Sequence, residues 1–418
     1  MQVSYKIVLS VLLIAFSVPL NMNTISNINQ KNVTSLKEAE TVYISNSFGK
    51  FSTLLGAFFM MFALNSPSTC SEELKVLLPI VSSTLLPLSI IVAYSTLFLT
   101  QDYQIWMFVI CILTTCVVIS GSVLYTFVSN LYTIDNTIFL MDAINYNHVG
   151  GLISIVAWIA TIPLTSEHFI YYATVLAIWL VATSVAILLF RGAKRSAREE
   201  VGLDDQEIYT VYDVSHDVVR HVSHDVVRHV SRPNAASETY KWDVIYEHAC
   251  KEKILIIAFF LNNVFKSFGF PLPFIIQKQN VQLIQQDIYF VFFVVFLFHG
   301  CNLAGSFLHL RSQRTVVRGT RLKSIMSITL CRIFCAGSVT IFSSWRVHES
   351  LGEQVLYTIA MALLWIVCGW LNSSICLKFE VYPVSFSNVF GYGVHAFAIL
   401  VGLQASMTLV YLKEFGIF

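Results

Sequence analysis

Polar side chains recur inside apolar stretches of this sequence that are long enough to cross a bilayer. The stretch from Tyr357 to Phe379 is an example, because Asn372, Ser373 and Ser374 lie in its interior. Lipid offers no hydrogen-bond partner, so these groups must face other helices or a water-filled cavity. The residues therefore predict hydrogen bonding inside a helical bundle.

Further apolar stretches carry polar residues of the same kind. Lys266 lies in "NNVFKSFGFPLPF" and, at that depth in the bilayer, needs a partner or water. The prolines of the same stretch predict a broken helix beside a cavity. His299, Asn302 and Ser306 recur at three and four residues and share one helix face. Arg332 lies in "LCRIF". Each residue alone could make an interhelical hydrogen bond, but their number favours a polar route through the bundle.

No catalytic motif competes with this interpretation. The sequence has no H-E-x-x-H, no G-x-S-x-G and no P-loop, which argues against a metalloprotease, a serine hydrolase and an ATP-driven pump. Asp135 and Asp142 are seven residues apart, but we expect them at a loop junction, where solvated carboxylates are the simpler interpretation. We predict no enzyme activity, no cofactor and no metal site.

The composition is that of a multi-span membrane protein. Hydrophobic residues make up 56% of the 418 residues and charged residues only 12%, and the mean hydropathy is +0.68. The net charge of +1 gives no electrostatic case for nucleic acid. Most of the nine cysteines lie in apolar stretches, where a thiol packs as a small apolar group.

The predicted fold class is an all-α integral membrane protein with about eleven transmembrane helices in a six-plus-five, major-facilitator-like arrangement. A span needs about 20 mostly apolar residues. We predict a six-helix bundle in 1–190, a polar cytoplasmic linker in 191–250 and a five-helix bundle in 251–418. The predicted spans are 5–26, 47–65, 76–99, 105–130, 138–163, 168–190, 252–276, 287–310, 324–345, 354–378 and 389–412.

The linker contains a tandem repeat. "VSHDVVRH" at 214–221 recurs unchanged at 222–229 and brings four histidines into a short segment. Clustered imidazoles can bind zinc or titrate near neutral pH. Spacings of five, three and five residues place no tetrahedral set on one helix face, so we interpret the repeat as a duplication in a tolerant linker.

Basic loops set the predicted orientation. Lys and Arg cluster directly after the sixth and eighth spans, which places the N-terminus in the cytoplasm and the C-terminus outside. The sequon Asn32-Val33-Thr34 lies on the predicted outer side. The first span could instead be a signal peptide, although Lys6 is its only basic residue and no A-x-A site follows. With no retention tail, we expect the plasma membrane.

Short motifs in these spans resemble those of the equilibrative nucleoside transporters. "PLN" at 19–21 resembles a Pro-Trp-Asn, "GSVLY" at 121–125 a Gly-x-x-x-Gln, "NLAGS" at 302–306 an Asp-x-x-Gly-Arg, and "GWLNS" at 369–373 the Asn-Gly-Trp/Tyr pattern of the tenth span in the form found in parasitic protozoa. "FP" at 270–271 and the arginine of "CRIF" also match. The six-plus-five layout is that family's topology.

The resemblance implies a facilitative carrier of nucleosides or nucleobases that works by alternating access. It places eight residues at the substrate, namely Leu20, Asn21, Tyr125, Asn302, Ser306, Arg332, Trp370 and Asn372, with His299 as a further contact. Asn302 and Ser306 replace a charged Asp and Arg of the family, which favours facilitated diffusion over proton coupling. Leu20, Tyr125 and Cys368 replace the family's Trp, Gln and Asn.

Two alternatives stay open from the sequence. The chain could be a major-facilitator-like carrier of another small polar solute, for which twelve spans and an internal C-terminus would be expected. It could also be a membrane protein without transport activity, such as a receptor or scaffold. The expected partners are a small-molecule substrate and the lipid bilayer.

Overall fold

The computed structural model describes residues 139–161, 242–270, 288–313, 322–345, 351–379 and 384–415, with single helical residues between 43 and 55 and between 174 and 188. These ranges contain seven α-helices and no strand. In chain order they are α1 (Phe139–Thr161), α2 (Trp242–Lys251), α3 (Lys253–Phe268), α4 (Ile288–Gln313), α5 (Leu322–Trp345), α6 (Leu351–Phe379) and α7 (Val384–Glu414).

Five described helices coincide with predicted spans. α1, α4, α5, α6 and α7 cover the stretches predicted from length and hydropathy, including the fifth span, 138–163, with its polar start. α3 is shorter than predicted. It ends at Phe268 rather than near residue 276, because Gly269 closes the helix and prolines follow at 271 and 273.

The remaining spans are not tested as whole helices. Those at 5–26, 76–99 and 105–130 lie outside the described residues, and 47–65 and 168–190 are represented by single helical residues. The tandem repeat also lies outside the described residues. The count of eleven spans, the domain boundaries and the sidedness of both termini therefore stay predictions.

Three described helices are long and apolar enough to cross a membrane, namely Lys323–Phe342, Val355–Cys376 and Gly393–Leu412. Large apolar side chains such as Phe334, Phe342 and Leu363 lie on their outer surfaces. Water would oppose so much exposed apolar area, whereas lipid accepts it. The chain is a multi-pass helical membrane protein.

α2 differs from the spanning helices. It lies at the end of the predicted linker, where Tyr246 and Glu247 are exposed. Lys251 Nζ donates to Glu247 Oε1 at 2.6 Å, one helical turn away. Only Glu252 separates α2 from α3, so the polar helix leads directly into an apolar one.

The helices of the second half pack closely together. α4 runs along α6, and α3 lies against α7 and α5. α1, from the predicted first half, packs mainly against α4 and also touches α6 and α7. Tyr43 adds a hydrogen bond from the first half to Gln404 of α7. α1 and Tyr43 thus join the two predicted halves.

Glycines permit the close contact of α4 and α6. A Cβ on Gly369 would collide with the backbone oxygen of Asn302, and one on Gly305 would collide with the backbone oxygen of Ile366. Ser306 Oγ donates to the Gly369 carbonyl oxygen at 3.3 Å across the same contact. Small residues that allow two backbones to approach are a common basis of helix association in membranes.

We expect Gly369→Ala to destabilise the protein, because backbone atoms at the α4–α6 contact cannot move aside as a flexible side chain could. Overpacking costs about 1–3 kcal/mol, which thermal unfolding in detergent would register as a lower Tm. Gly393→Ala is the matched control, since no heavy atom lies within 4 Å of a Cβ at that position. Equal Tm values for the two variants would contradict this packing.

Candidate functional site

Arg332 of α5 is the centre of a buried polar network in the second half, and its side chain is 3% exposed. Its Nη1 donates to both Asn262 O at 2.8 Å and Asn262 Oδ1 at 2.6 Å on α3. Its Nε donates to Leu364 O on α6 at 3.1 Å. Oxygen dipoles from two other helices therefore surround the guanidinium group.

Three asparagines extend this network, and all are buried. Asn262 Nδ2 donates to Asn372 Oδ1 at 2.7 Å, and Asn263 Nδ2 donates to the same oxygen at 3.2 Å. Asn372 Nδ2 donates in return to Asn263 Oδ1 at 3.2 Å. The amides use both donor and acceptor groups, so the network joins α3, α5 and α6 through satisfied hydrogen bonds.

A second buried cluster joins the two predicted halves, and we call its three members, His148, Lys266 and His299, the junction cluster. His148 lies on α1, Lys266 in the last turn of α3 and His299 on α4. Lys266 Nζ lies 3.1 Å from His148 Nε2, and His148 Nδ1 lies 3.0 Å from His299 Nδ1. All three side chains are buried. The cluster therefore places polar atoms of both halves in contact.

A charged lysine determines the hydrogen positions in this cluster. An ammonium group only donates, so His148 Nε2 must accept from Lys266. A neutral His148 then carries its hydrogen on Nδ1 and donates to His299 Nδ1. His299 in turn carries its hydrogen on Nε2. This tautomer assignment follows from the two distances and the charge of Lys266.

Aromatic rings pack beside the junction cluster. Phe298 stacks on Phe270 with ring centroids 4.1 Å apart, and Trp365 meets both rings edge-on. Lys266 Nζ lies 5.5 Å from the centroid of Phe298, within the range of a cation–π interaction. A wall of rings beside polar donors is typical of small-molecule sites.

Gly151 leaves room for the ring of His299 beside α1. A Cβ on Gly151 would collide with the imidazole ring of His299, so the ring lies directly against the backbone of α1. Gly151 is therefore a point of close contact between α1 and α4.

Five of the eight predicted binding residues lie in the described part of the chain, and three of them make hydrogen bonds to another helix. Arg332 and Asn372 belong to the network above. Ser306 bonds to Gly369, whereas Asn302 Nδ2 donates to Phe298 O of its own helix at 2.7 Å. The Oδ1 atom of Asn302 is buried and has no partner among the described residues.

The fifth, Trp370, is half-buried and meets the ring of His309 edge-on. Its neighbour Ser374 lies 2.9 Å from His309 Nδ1. Trp370 thus packs between α6 and α4. Leu20, Asn21 and Tyr125 lie outside the described residues. Substrate contact stays a prediction for all eight.

His148 and Lys266 were absent from the predicted binding residues. Lys266 gave a signal, since a lysine at that depth needs a partner. His148 lies inside the predicted span 138–163, but it was not singled out as a binding residue, because nothing in its own stretch of sequence shows which residues of other helices it meets. No group of three His, Cys, Asp or Glu side chains in the described part is arranged to hold a metal ion.

Comparisons with known proteins identify the fold. No protein-family model and no curated protein matches the sequence. Among solved structures, the chain resembles the proton:xylose symporter XylE from E. coli, a member of the major facilitator superfamily bound to 6-bromo-6-deoxy-D-glucose, with a TM-score of 0.56 and 10% identity. That match covers 98% of this chain and 88% of XylE.

A bacterial homologue of the iron transporter ferroportin, in its outward-facing state, gives a TM-score of 0.55 at 10% identity. This match covers 99% of this chain and 92% of the homologue. The predicted all-α, major-facilitator-like fold class is therefore confirmed. Identities this low show the fold and leave the activity to be argued from the site.

We expect Arg332→Lys to lower the stability of the second half, because one ammonium group cannot replace three directed donors to Asn262 and Leu364. Leaving buried oxygens without donors costs about 1–3 kcal/mol. Unfolding in detergent would measure the loss, with Ser327→Ala at an exposed position of α5 as the control.

A double variant tests the same network. Arg332→Met with Asn262→Leu removes both polar partners, so it should destabilise less than the sum of the two single changes. Strict additivity would contradict direct coupling between the two side chains.

Proposed function

We propose that this chain is a carrier that moves a small polar solute across a membrane by alternating access of its two helical halves. One observation carries the proposal. The junction cluster places buried, hydrogen-bonding side chains where a helix of the first half meets helices of the second. In carriers built from two halves, solute sites lie at that interface.

The contacts at this junction suit a surface that opens. Two N–H···N hydrogen bonds and a ring contact of His148 with Phe298 join α1 to the second half. Such bonds can be exchanged for bonds to water or solute when the halves rock apart. The Arg332 network lies wholly within the second half, so it can move as a unit.

For the solute we propose a nucleoside or nucleobase, on the strength of the motifs in the first, fourth, eighth, ninth and tenth predicted spans. Asn302 supports this assignment, because its buried Oδ1 has no described partner and could accept a hydrogen bond from a base or sugar. The stacked rings of Phe270 and Phe298 offer an apolar wall for a planar solute.

A different polar solute is the second candidate. The two solved structures with similar folds are described as a xylose symporter and a homologue of an iron transporter, so this fold accommodates unlike cargoes. A C-terminus inside the cell would favour that candidate over the proposed eleven-span topology. We propose the plasma membrane as its location, which a fluorescent fusion would test.

The direct test is uptake by proteoliposomes that contain the purified full-length chain. The panel is labelled adenosine, inosine, uridine, hypoxanthine and adenine, with and without a pH gradient. We expect saturable uptake of at least one of them that does not depend on the gradient. Protein-free liposomes and the Ser327→Ala variant are the controls.

Asn302→Ala should reduce that uptake by about tenfold, the equivalent of one lost hydrogen bond of 1.4 kcal/mol. Normal uptake by this variant would exclude Asn302 from the site. No uptake of any panel member, alongside uptake of another polar solute such as xylose, would replace the nucleoside assignment with the second candidate.

A further inference from the structure

Positive charge accumulates around the junction cluster. Lys266 and Lys50 lie within electrostatic range of each other and of His148, His299 and His395, and Arg332 is within range of Lys266. No carboxylate among the described residues lies within ion-pair distance of Lys50, Lys266 or Arg332. Arg332 has oxygen atoms around it, whereas the described partners of Lys266 are an imidazole nitrogen and an aromatic ring.

A buried cation in these surroundings is costly. Taking an ammonium group out of water costs several kcal/mol unless an opposite charge and further hydrogen bonds offset the loss. Lys266 is 3% exposed and uses one of its three N–H donors on His148. Besides His148, the described residues give Lys266 Nζ only the ring of Phe298, so its remaining N–H donors are open to a ligand as far as the described part of the chain shows.

The tautomers of the junction cluster make His299 Nε2, which has no hydrogen-bond partner among the described residues, a donor as well. With His148 accepting at Nε2 and donating from Nδ1, the hydrogen of His299 lies on Nε2. A group of donors without acceptors is complementary to a ligand oxygen that bears negative charge.

His395 of α7 supplies an independent observation. Its side chain is 6% exposed, and its Nε2 is buried without a hydrogen-bond partner among the described residues. The ring packs against Phe259 of α3, on the same helix as Lys266. A buried ring nitrogen in this state normally has a partner, which a ligand oxygen would provide.

We propose that the junction cluster, together with His395, is a binding site for a small oxyanion, meaning a carboxylate or phosphate group, held between the two halves. Lys266 supplies the charge and two hydrogen bonds. His299 and His395 supply further N–H donors, and Lys50 strengthens the positive field. The site deepens the proposed carrier function and rests on it in treating the anion as a ligand of the transport cycle.

Two sources could supply the oxyanion. It could belong to the solute itself, in which case the cargo is acidic. It could also be free phosphate that binds together with a neutral solute. Both sources use the same donors, so the chemistry of the site is shared and the experiment separates them.

Binding to the purified full-length protein in detergent tests the site without requiring transport. Sodium phosphate, sodium acetate and neutral uridine would be added at constant ionic strength, with sodium chloride as the balancing salt, and affinity followed by calorimetry and Tm. We expect saturable binding of phosphate or acetate in the wild type. Absence of saturable binding by both would overturn the proposal, whatever uridine does.

Charge-neutral variants locate the binding. Lys266→Gln should weaken oxyanion binding by at least tenfold, since a charge-assisted hydrogen bond is worth about 1.5–3 kcal/mol. Lys323→Gln, at an exposed position of α5, is the matched control and should bind as the wild type does. If Lys266→Gln does not fold, Lys50→Gln gives the second reading, with an expected weakening of about threefold. Unchanged affinity in both folded variants would place the anion elsewhere and overturn the assignment.

Uptake then separates this proposal from the carrier proposal. If a labelled acidic solute is taken up and this uptake requires Lys266, the oxyanion belongs to the transported solute. Uptake of a neutral nucleoside that phosphate stimulates identifies free phosphate. Nucleoside uptake with no oxyanion binding would support the carrier proposal and contradict the anion site. Lys266-dependent oxyanion binding without any uptake would support the anion site and contradict the carrier proposal.

Discussion

The structure depends on the rule that a polar group inside a membrane bundle must find its partner within the protein. Arg332 shows how strictly this applies. A guanidinium group in lipid is unfavourable, and its nearest described partners are not carboxylates but the backbone and side-chain oxygens of Asn262 and the carbonyl of Leu364. Three helices are held in register because each contributes an atom to this one charge or to the asparagines around it.

The two polar clusters answer that rule differently. The Arg332 network lies within one half and pairs donors with acceptors, which suits a rigid body. The junction cluster lies between the predicted halves and pairs donors with imidazole nitrogens, with more donors than acceptors among the described side chains. The proposed carrier function needs both properties, because the halves of a carrier must stay intact while the contact between them changes. Glycines occur at both kinds of contact. Gly305 and Gly369 allow α4 and α6 to pack closely, and Gly151 allows the ring of His299 to lie against α1.

Much of the described fold was predictable, and less of the site was. Hydropathy over about 20 residues located α1 and α4–α7, since lipid imposes both length and apolar surface. It overestimated α3, where Gly269 ends the helix before the hydropathy falls. Among single residues, Arg332, Asn372 and Trp370 were recognised as inward-facing. Their partners were not, because Asn262 and Asn372 are separated by more than a hundred positions, and no spacing rule links residues on different helices.

The sequence by itself determined that this chain is a bundle of membrane-spanning helices and that certain polar residues must be shielded from lipid. Both conclusions follow from the free energy of transferring each side chain, which is a local property of the chain. Only the tertiary structure decided which polar residues meet. It paired His148 with Lys266 and His299, three residues of three helices, and so placed a histidine of a predicted span at the contact between the predicted halves. Hydrogen bonds act over about 3 Å, so their partners are set by how the helices pack and not by their positions along the chain.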